Sequence, residues 1–280
     1  MRELHGACRR LRAKSFCGVV VLFIVLACTA RSMASGGASG GASDGSSGEA
    51  NVAPLIAWRV VAVRPHDPAA FTQGLLFHKD LLFESTGLRG RSELRAVRPE
   101  DGSVLRRIAL PAELFGEGLT RVGSTLYQLS WQAGRGFVYS LDNFRVLREF
   151  RYAGEGWGLA WDGSNLLMSD GSAQIRVLDA SRFEERHRIT VHHNGAPLRQ
   201  LNELEMVRGA LFANVWRSDR IARINLATGQ VTGWLNLRNL LGPASKGADV
   251  LNGIAWDESR QQLWVTGKLW PKIFVLEIDR

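Results

Sequence analysis

Five segments of this chain repeat one pattern, and no other feature limits the possible folds as strongly. They are Phe71-Thr-Gln-Gly-Leu75, Phe115-Gly-Glu-Gly-Leu119, Glu155-Gly-Trp-Gly-Leu159, Leu201-Asn-Glu-Leu204 and Leu251-Asn-Gly-Ile254. The anchors Leu75, Leu119, Leu159, Leu204 and Ile254 are spaced by 44, 40, 45 and 50 residues. After a short polar turn each unit has a second apolar stretch, such as Leu81–Phe83, Leu166–Met168 or Leu263–Val265. A third stretch alternates with period two, the strand signal, most clearly at Phe137–Leu141, Ile175–Leu178 and Ile221–Ile224. Asp101-Gly102 and Thr228-Gly229 read as hairpin turns into a fourth strand. No segment holds a helical period, and Arg238–Leu241 supplies at most one helical turn.

Four strands per unit at this spacing is the blade period of a β-propeller. The ends of the chain agree. The fifth unit stops at its third strand, Ile273–Leu276, while an unassigned strand, Ile56–Val63, precedes the first unit. Pairing the two closes the ring and removes an exposed edge. The expected fold is therefore all-β: a five-bladed β-propeller with four-stranded antiparallel blades, its N-terminal strand closing the last blade. A pair of β-sandwiches is the alternative, but a sandwich has no need of five equal units.

Inner strands of blades converge on an axis, so equivalent positions form rings. The residues just before the anchor pairs are Gln73, Glu117, Trp157, Asn202 and Asn252. Aligned at the ends of the second strands are Thr86, Trp131, Gly171, Trp216 and Lys268. The two rings share one mouth because the strands are hairpin neighbours. That mouth should hold three tryptophans, a carboxylate, an ammonium and several amides, the form of a small-ligand site. Each tryptophan taken alone is as readily explained by packing, Glu117 by an ion pair to Lys268, and Asn202 and Gln73 by turns. A carboxylate among indoles should have a raised pKa, the usual way a glutamate becomes useful near neutral pH.

The first fifty residues do not belong to the repeats. A basic stretch at 1–17 precedes an apolar run, Gly18–Cys28, too short to span a bilayer but suited to an export signal. We expect an export signal at 1–34, cleaved near Ser32-Met33-Ala34, then a Gly/Ser-rich linker at 35–50 and the propeller at 51–280. The expected location is periplasmic or secreted, and Cys28, after Val25-Leu26-Ala27, is a rival site for a lipid anchor. All three cysteines (Cys8, Cys17, Cys28) lie in this leader, so the body has no disulfide, thiol nucleophile or cysteine zinc site. The net charge is +8, of which the leader's six basic and three acidic residues carry +3. The remaining basic residues are scattered, so nothing calls for a nucleic-acid partner.

Other motifs are weaker. His192-His193 lacks a third ligand nearby, and a loop is the simpler reading. His66-Asp67-Pro68 reads as a turn at the pocket rim. Ser85 and Ser130 have no His–Asp partners for nucleophilic catalysis. No phosphate loop or dinucleotide fingerprint occurs.

The same segments resemble the plant-type glutaminyl-peptide cyclotransferases, a family also found in bacteria. The resemblance rests on His66-Asp-Pro68, Phe71-Thr-Gln-Gly-Leu75, Glu84-Ser-Thr-Gly87, Phe115-Gly-Glu-Gly118, Gly156-Trp-Gly-Leu159, Leu201-Asn-Glu-Leu-Glu205, Asn214-Val-Trp216, Leu251-Asn-Gly-Ile254 and Thr266-Gly-Lys-Leu-Trp-Pro271. It implies a five-bladed propeller, an essential glutamate at Glu117, pocket aromatics at Phe71, Phe115, Trp131, Trp157 and Trp216, and polar contacts from Gln73, Asn202 and Lys268. It also implies catalysis without a metal or other cofactor. The substrate would be the N-terminal glutamine of a peptide or protein. A pocket at one mouth of a closed ring admits only a terminus, so loose preference beyond the first residue is expected; we also expect a monomer with no membrane span. Two readings from other classes stay open: an exported propeller that binds peptides or partner proteins without catalysis, and a metal-dependent lactonase-like propeller, which would need more inward carboxylates than Glu117 with Glu203 beside it.

Overall fold

The computed structural model describes residues 53–242 and 246–279. The expected export signal, the Cys28 alternative and the whole of the expected linker lie outside the described residues. Among the described residues no helix is long and apolar enough to cross a membrane.

Five four-stranded antiparallel sheets follow one another along the chain. The first is β2 (Thr72–His78), β3 (Leu81–Thr86), β4 (Glu93–Val97) and β5 (Val104–Ala109). The second is β6 (Gly116–Val122), β7 (Thr125–Ser130), β8 (Arg135–Ser140) and β9 (Val146–Arg151). The third is β10 (Leu159–Trp161), β11 (Leu166–Met168), β12 (Gln174–Leu178) and β13 (Glu185–Thr190). A two-stranded hairpin, β14 (His192–His193) with β15 (Ala196–Pro197), stands where a loop was expected. The fourth blade is β16 (Leu201–Val207), β17 (Ala210–Val215), β18 (Arg220–Ile224) and β19 (Val231–Asn236). In the fifth, β20 (Leu251–Asp257), β21 (Gln262–Gly267) and β22 (Lys272–Ile278) are completed by β1 (Trp58–Pro65).

The closing strand runs Trp58 opposite Ile278 through Pro65 opposite Lys272. It starts two residues later than the sequence suggests. Ile56 is used elsewhere: its N–H donates to Trp234 O at 2.8 Å, and Trp58 Nε1 donates to Asn236 O. The N-terminal segment thus runs along blade four before completing blade five. Arg238–Leu241 forms turns rather than a helical turn.

The innermost strands neighbour one another in a ring, β2–β6–β10–β16–β20 and back to β2. Five apolar clusters fill the five blade interfaces. Leu75 packs with Ala255 and Trp264 of blade five, while Leu76 packs with Leu119 and Phe137 of blade two. Successive strand residues point to opposite faces, so a strand between two blades must be apolar at consecutive positions. That is why β2, β10 and β20 carry consecutive apolar residues at Leu75-Leu76, Leu159-Ala160 and Ile254-Ala255. The outer strands β5, β9 and β13 are exposed and rich in arginine.

The inner strands approach closely at the axis. A Cβ on Gly158 would lie 2.0 Å from the Asn202 carbonyl oxygen, so any larger residue would push blades three and four apart.

Candidate active site

In four of the five inner strands the ladder breaks at the ring position. The register shifts between Thr72 and Gly74, Gly116 and Leu119, Leu201 and Leu204, and Leu251 and Ile254. Gln73, Glu117, Asn202 and Asn252 therefore sit in β-bulges, which free a side chain from the strand alternation and re-aim it. In blade three the strand begins only at Leu159, and Trp157 precedes it, held by its N–H to Ser169 O at 2.9 Å. Neighbouring polar side chains take up the backbone groups that the bulges release. Ser169 Oγ donates to Asn202 O at 2.6 Å, Gly253 N donates to Asn214 Oδ1 at 3.0 Å, and Ile254 N donates to Glu203 Oε2 at 2.8 Å. Glu203 thus staples backbone at the axis.

At this mouth lies a cavity of about 300 Å³. Phe71, Gln73, Phe115, Glu117, Trp131, Trp157, Asn202, Trp216 and Lys268 all line it, so the structure brings together every residue singled out as a site candidate. Of the ring positions, Thr86, Gly171 and Asn252 do not line it. Gly171 instead makes room: a Cβ there would be 2.6 Å from the Trp157 ring, and its φ of +77° suits glycine. Asn252 Nδ2 donates to Gln73 Oε1 at 3.3 Å from behind.

The aromatic walls form two runs of edge contacts, Phe71–Phe115–Trp131 and Trp157–Trp216. Ring centroids are 6.0 Å apart for Phe71 and Phe115, 5.7 Å for Phe115 and Trp131, and 5.6 Å for Trp157 and Trp216. Such packing orients the rings as well as burying them. Lys268 Nζ lies 4.9 Å from the Phe71 ring centroid, within cation–π range.

The polar groups are almost completely buried. Glu117 is 4% and Lys268 5% exposed, yet they form no ion pair within 4.0 Å among the described residues. Burial raises the Glu117 pKa well above the usual carboxylate value, the Lys268 charge opposes that rise, and the Glu155 charge adds to it. Burial likewise lowers Lys268, with Glu117 and Asp249 opposing. Asn202 Oδ1 is buried and has no hydrogen-bond partner among the described residues. A buried amide oxygen left free costs on the order of 1–3 kcal/mol unless a ligand or water meets it.

Glutamine cyclotransferase is the family whose model matches residues 28–278. The chain belongs to the glutamine cyclotransferase family. Similar to it is an Arabidopsis thaliana protein named glutaminyl-peptide cyclotransferase, 45% identical over 227 residues, which are 79% of this chain and 71% of the relative. A solved structure, the Myxococcus xanthus glutaminyl cyclase, superposes with a TM-score of 0.75 at 35% identity, over 81% of this chain and 98% of the other.

Sequence reasoning missed several residues of this family member's site. Arg217, Asp249 and Val250 also line the cavity. They lie on loops beyond the repeated strands, where period carries no signal. Glu155 stands behind the wall, its Oε2 accepting both Trp131 Nε1 at 2.7 Å and Trp157 Nε1 at 2.9 Å. His66 is not a rim residue. It is buried, with Nε2 3.0 Å from Glu84 Oε1 and Nδ1 2.6 Å from Trp270 O. Ser85 and Ser130 are structural, Ser85 accepting from Gln128 Nε2 and Ser130 donating to Arg135 O. Among the described residues no group of three or more His, Cys, Asp or Glu gathers in a way that could hold a metal ion.

Proposed function

We propose that this protein is a glutaminyl-peptide cyclotransferase that closes N-terminal glutamine to pyroglutamate by proton transfer through Glu117, with no metal or other cofactor. The observation that carries the reading is a buried carboxylate of raised pKa, set among indoles and facing a lysine that has no ion pair among the described residues, in one small cavity. A propeller that only bound peptides would gain nothing from burying these two charges unpaired.

In the reaction the α-amino nitrogen attacks the side-chain carbonyl carbon of the same residue. A C–N bond forms, the carbonyl oxygen gains negative charge, and the original C–N bond breaks as ammonia leaves. Both reactants belong to one residue, so the enzyme's first task is to fold the side chain back, which the aromatic walls do by confinement. The second is to move two protons off the attacking nitrogen. An N-terminal ammonium titrates at ~8. Raising Glu117 towards that value brings the transfer from ammonium to carboxylate close to balance, the condition for efficient general catalysis. Glu117 then returns that proton to the departing nitrogen, and the second proton shed by the attacking nitrogen leaves with it, so the nitrogen is released as ammonium.

Lys268 and the Asn202 amide meet the developing oxyanion, a role worth on the order of 10²–10³ in rate. The free Asn202 Oδ1 is also open to a substrate N–H. Gln73 holds Glu117 in place. The peptide beyond its first residue extends into solvent, so preference there is loose. We further propose that residues 1–34 direct export and that the mature chain is a monomer. Mass measurement of the protein from its natural compartment and light scattering test those two points.

The test of function is incubation of purified protein with a Gln-initiated peptide, with and without chelator. The expected result is loss of the mass of one ammonia in both. Binding without mass loss would leave a peptide-binding propeller, and loss abolished by chelator would overturn the metal-free reading.

A further inference from the structure

Glu155 is two residues from Trp157 and twenty-four from Trp131, and it does not line the cavity. Its Oε2 accepts both indole N–H groups, while Oε1 accepts Gln132 Nε2 at 3.2 Å. The loop that carries it is tied to blade two, since Gly156 N donates to Trp131 O at 3.1 Å and Ser130 N donates to Tyr152 Oη at 3.0 Å. Trp131 belongs to blade two and Trp157 to blade three, so one oxygen links two walls that come from different blades. An indole N–H is a donor only, and a shared carboxylate oxygen constrains both ring angles at once.

We propose that Glu155 is a positioning residue for the cyclisation, fixing Trp131 and Trp157 at the angle that confines the folded-back glutamine side chain. This rests on the reading of the cavity given above. Neutral acceptors would hold the two rings less tightly, and an alanine would leave both indole N–H groups to water.

The charge has a second consequence. Burial disfavours the Glu155 anion, but hydrogen bonds from Trp157, Gln132 and Trp131 outweigh this and keep its pKa below the usual value, so it is ionised throughout the working range. It therefore opposes ionisation of Glu117. The other charged or titratable groups around Glu117 are Lys268 from blade five, Tyr152 from the loop into blade three, and the cavity residues Arg217 and Asp249. None of these changes in a Glu155 variant. Removing the Glu155 charge makes Glu117 easier to ionise, which moves the acid limb of kcat/KM to lower pH.

The experiment compares Glu155→Gln, which keeps an acceptor oxygen without charge, with Glu155→Ala, which keeps neither. The chain has nine tryptophans, so indole ¹H–¹⁵N resonances can be assigned with Trp131→Phe and Trp157→Phe. In the alanine variant both assigned resonances should move upfield together, and kcat/KM should fall about tenfold. In the glutamine variant a large part of kcat/KM should return while the acid limb stays lowered by ~0.5 unit. Unmoved indole resonances in the alanine variant, or an acid limb at the wild-type position in the glutamine variant, would overturn the proposal. If the alanine variant does not fold, the acid limb of the glutamine variant decides. The indole resonances need no turnover, so they remain informative even if Glu117→Gln proves active and the catalytic reading falls.

Discussion

Gln73 Nε2 donates to Glu117 Oε1 at 2.9 Å, across the boundary between blades one and two. Gln73 is itself held by Asn252 of blade five. One carboxylate oxygen is therefore fixed from behind, and the other has no hydrogen-bond partner among the described residues. A proton-transfer group needs this arrangement, with one oxygen to set its direction and one to reach the substrate.

Glu117→Gln keeps the shape of the side chain and the possibility of a bond to Gln73, but it cannot carry a proton between nitrogens. We expect kcat to fall by on the order of 10²–10⁴ with peptide affinity nearly unchanged. Single-turnover ammonia release and calorimetric titration check this, and a kcat near the wild-type value would remove Glu117 from the chemistry.

Lys268→Met removes the positive charge that restrains the Glu117 pKa. Glu117 then holds its proton more tightly, so the acid limb of the pH profile should move to higher pH. Loss of oxyanion stabilisation should also lower kcat by about 10²-fold. Both appear in a kcat pH profile. A limb that stays in place shows that the ammonium does not act on Glu117.

Gly171→Ala places a methyl group 2.6 Å from the Trp157 ring at a backbone φ of +77°. The variant should lose ~1–2 kcal/mol of stability from backbone strain and displace the indole. An increase in KM larger than the change in kcat is the expected kinetic sign, measured beside urea unfolding.

Glu84 lies at the centre of a buried charge network. It accepts from Arg95 Nε and Thr72 Oγ1, both at 2.7 Å, and Arg95 also reaches Asp67 at 2.8 Å. Burial alone would raise the Glu84 pKa, but Arg95 and His66 outweigh it and hold it at about 2. Burial alone would lower His66, yet Glu84 raises it above 6.5. The Glu84 contribution is present above its unfolded value and is lost as pH falls through about 2. The His66 contribution is complete below 6.5 and is lost as pH rises through its raised folded value. Glu84→Ala leaves buried His66 without its carboxylate and Arg95 with Asp67 and Glu93 only, and should cost about 3 kcal/mol. Thermal melts from pH 3 to 9 should show the variant losing the wild-type fall in stability at high pH, and an unchanged profile would show that the network does not couple to folding.

Much of this protein is legible in the residue order. Repeats of 40 to 50 residues fix the blade count, because each unit has to bury two faces against its neighbours. A third strand at the C-terminus and a spare one at the N-terminus predict the closure that β1 and β22 make. Repeat symmetry alone places Gln73, Glu117, Trp157 and Asn202 in one ring, since equivalent positions meet at an axis.

Only the tertiary structure decided how that ring is aimed. The bulges that turn Gln73, Glu117 and Asn202 to the mouth, and Asn252 to the back of Gln73, depend on contact between adjacent inner strands, which a residue pattern does not encode. The same holds for Glu155 between two indoles, for Gly171 beneath Trp157, and for His66, whose turn-like sequence sits in a buried ion network. Period and composition report what each strand must bury. Which side chains then meet across blades is set by ring closure, and that brings together residues as distant in sequence as His66 and Trp270, 204 positions apart.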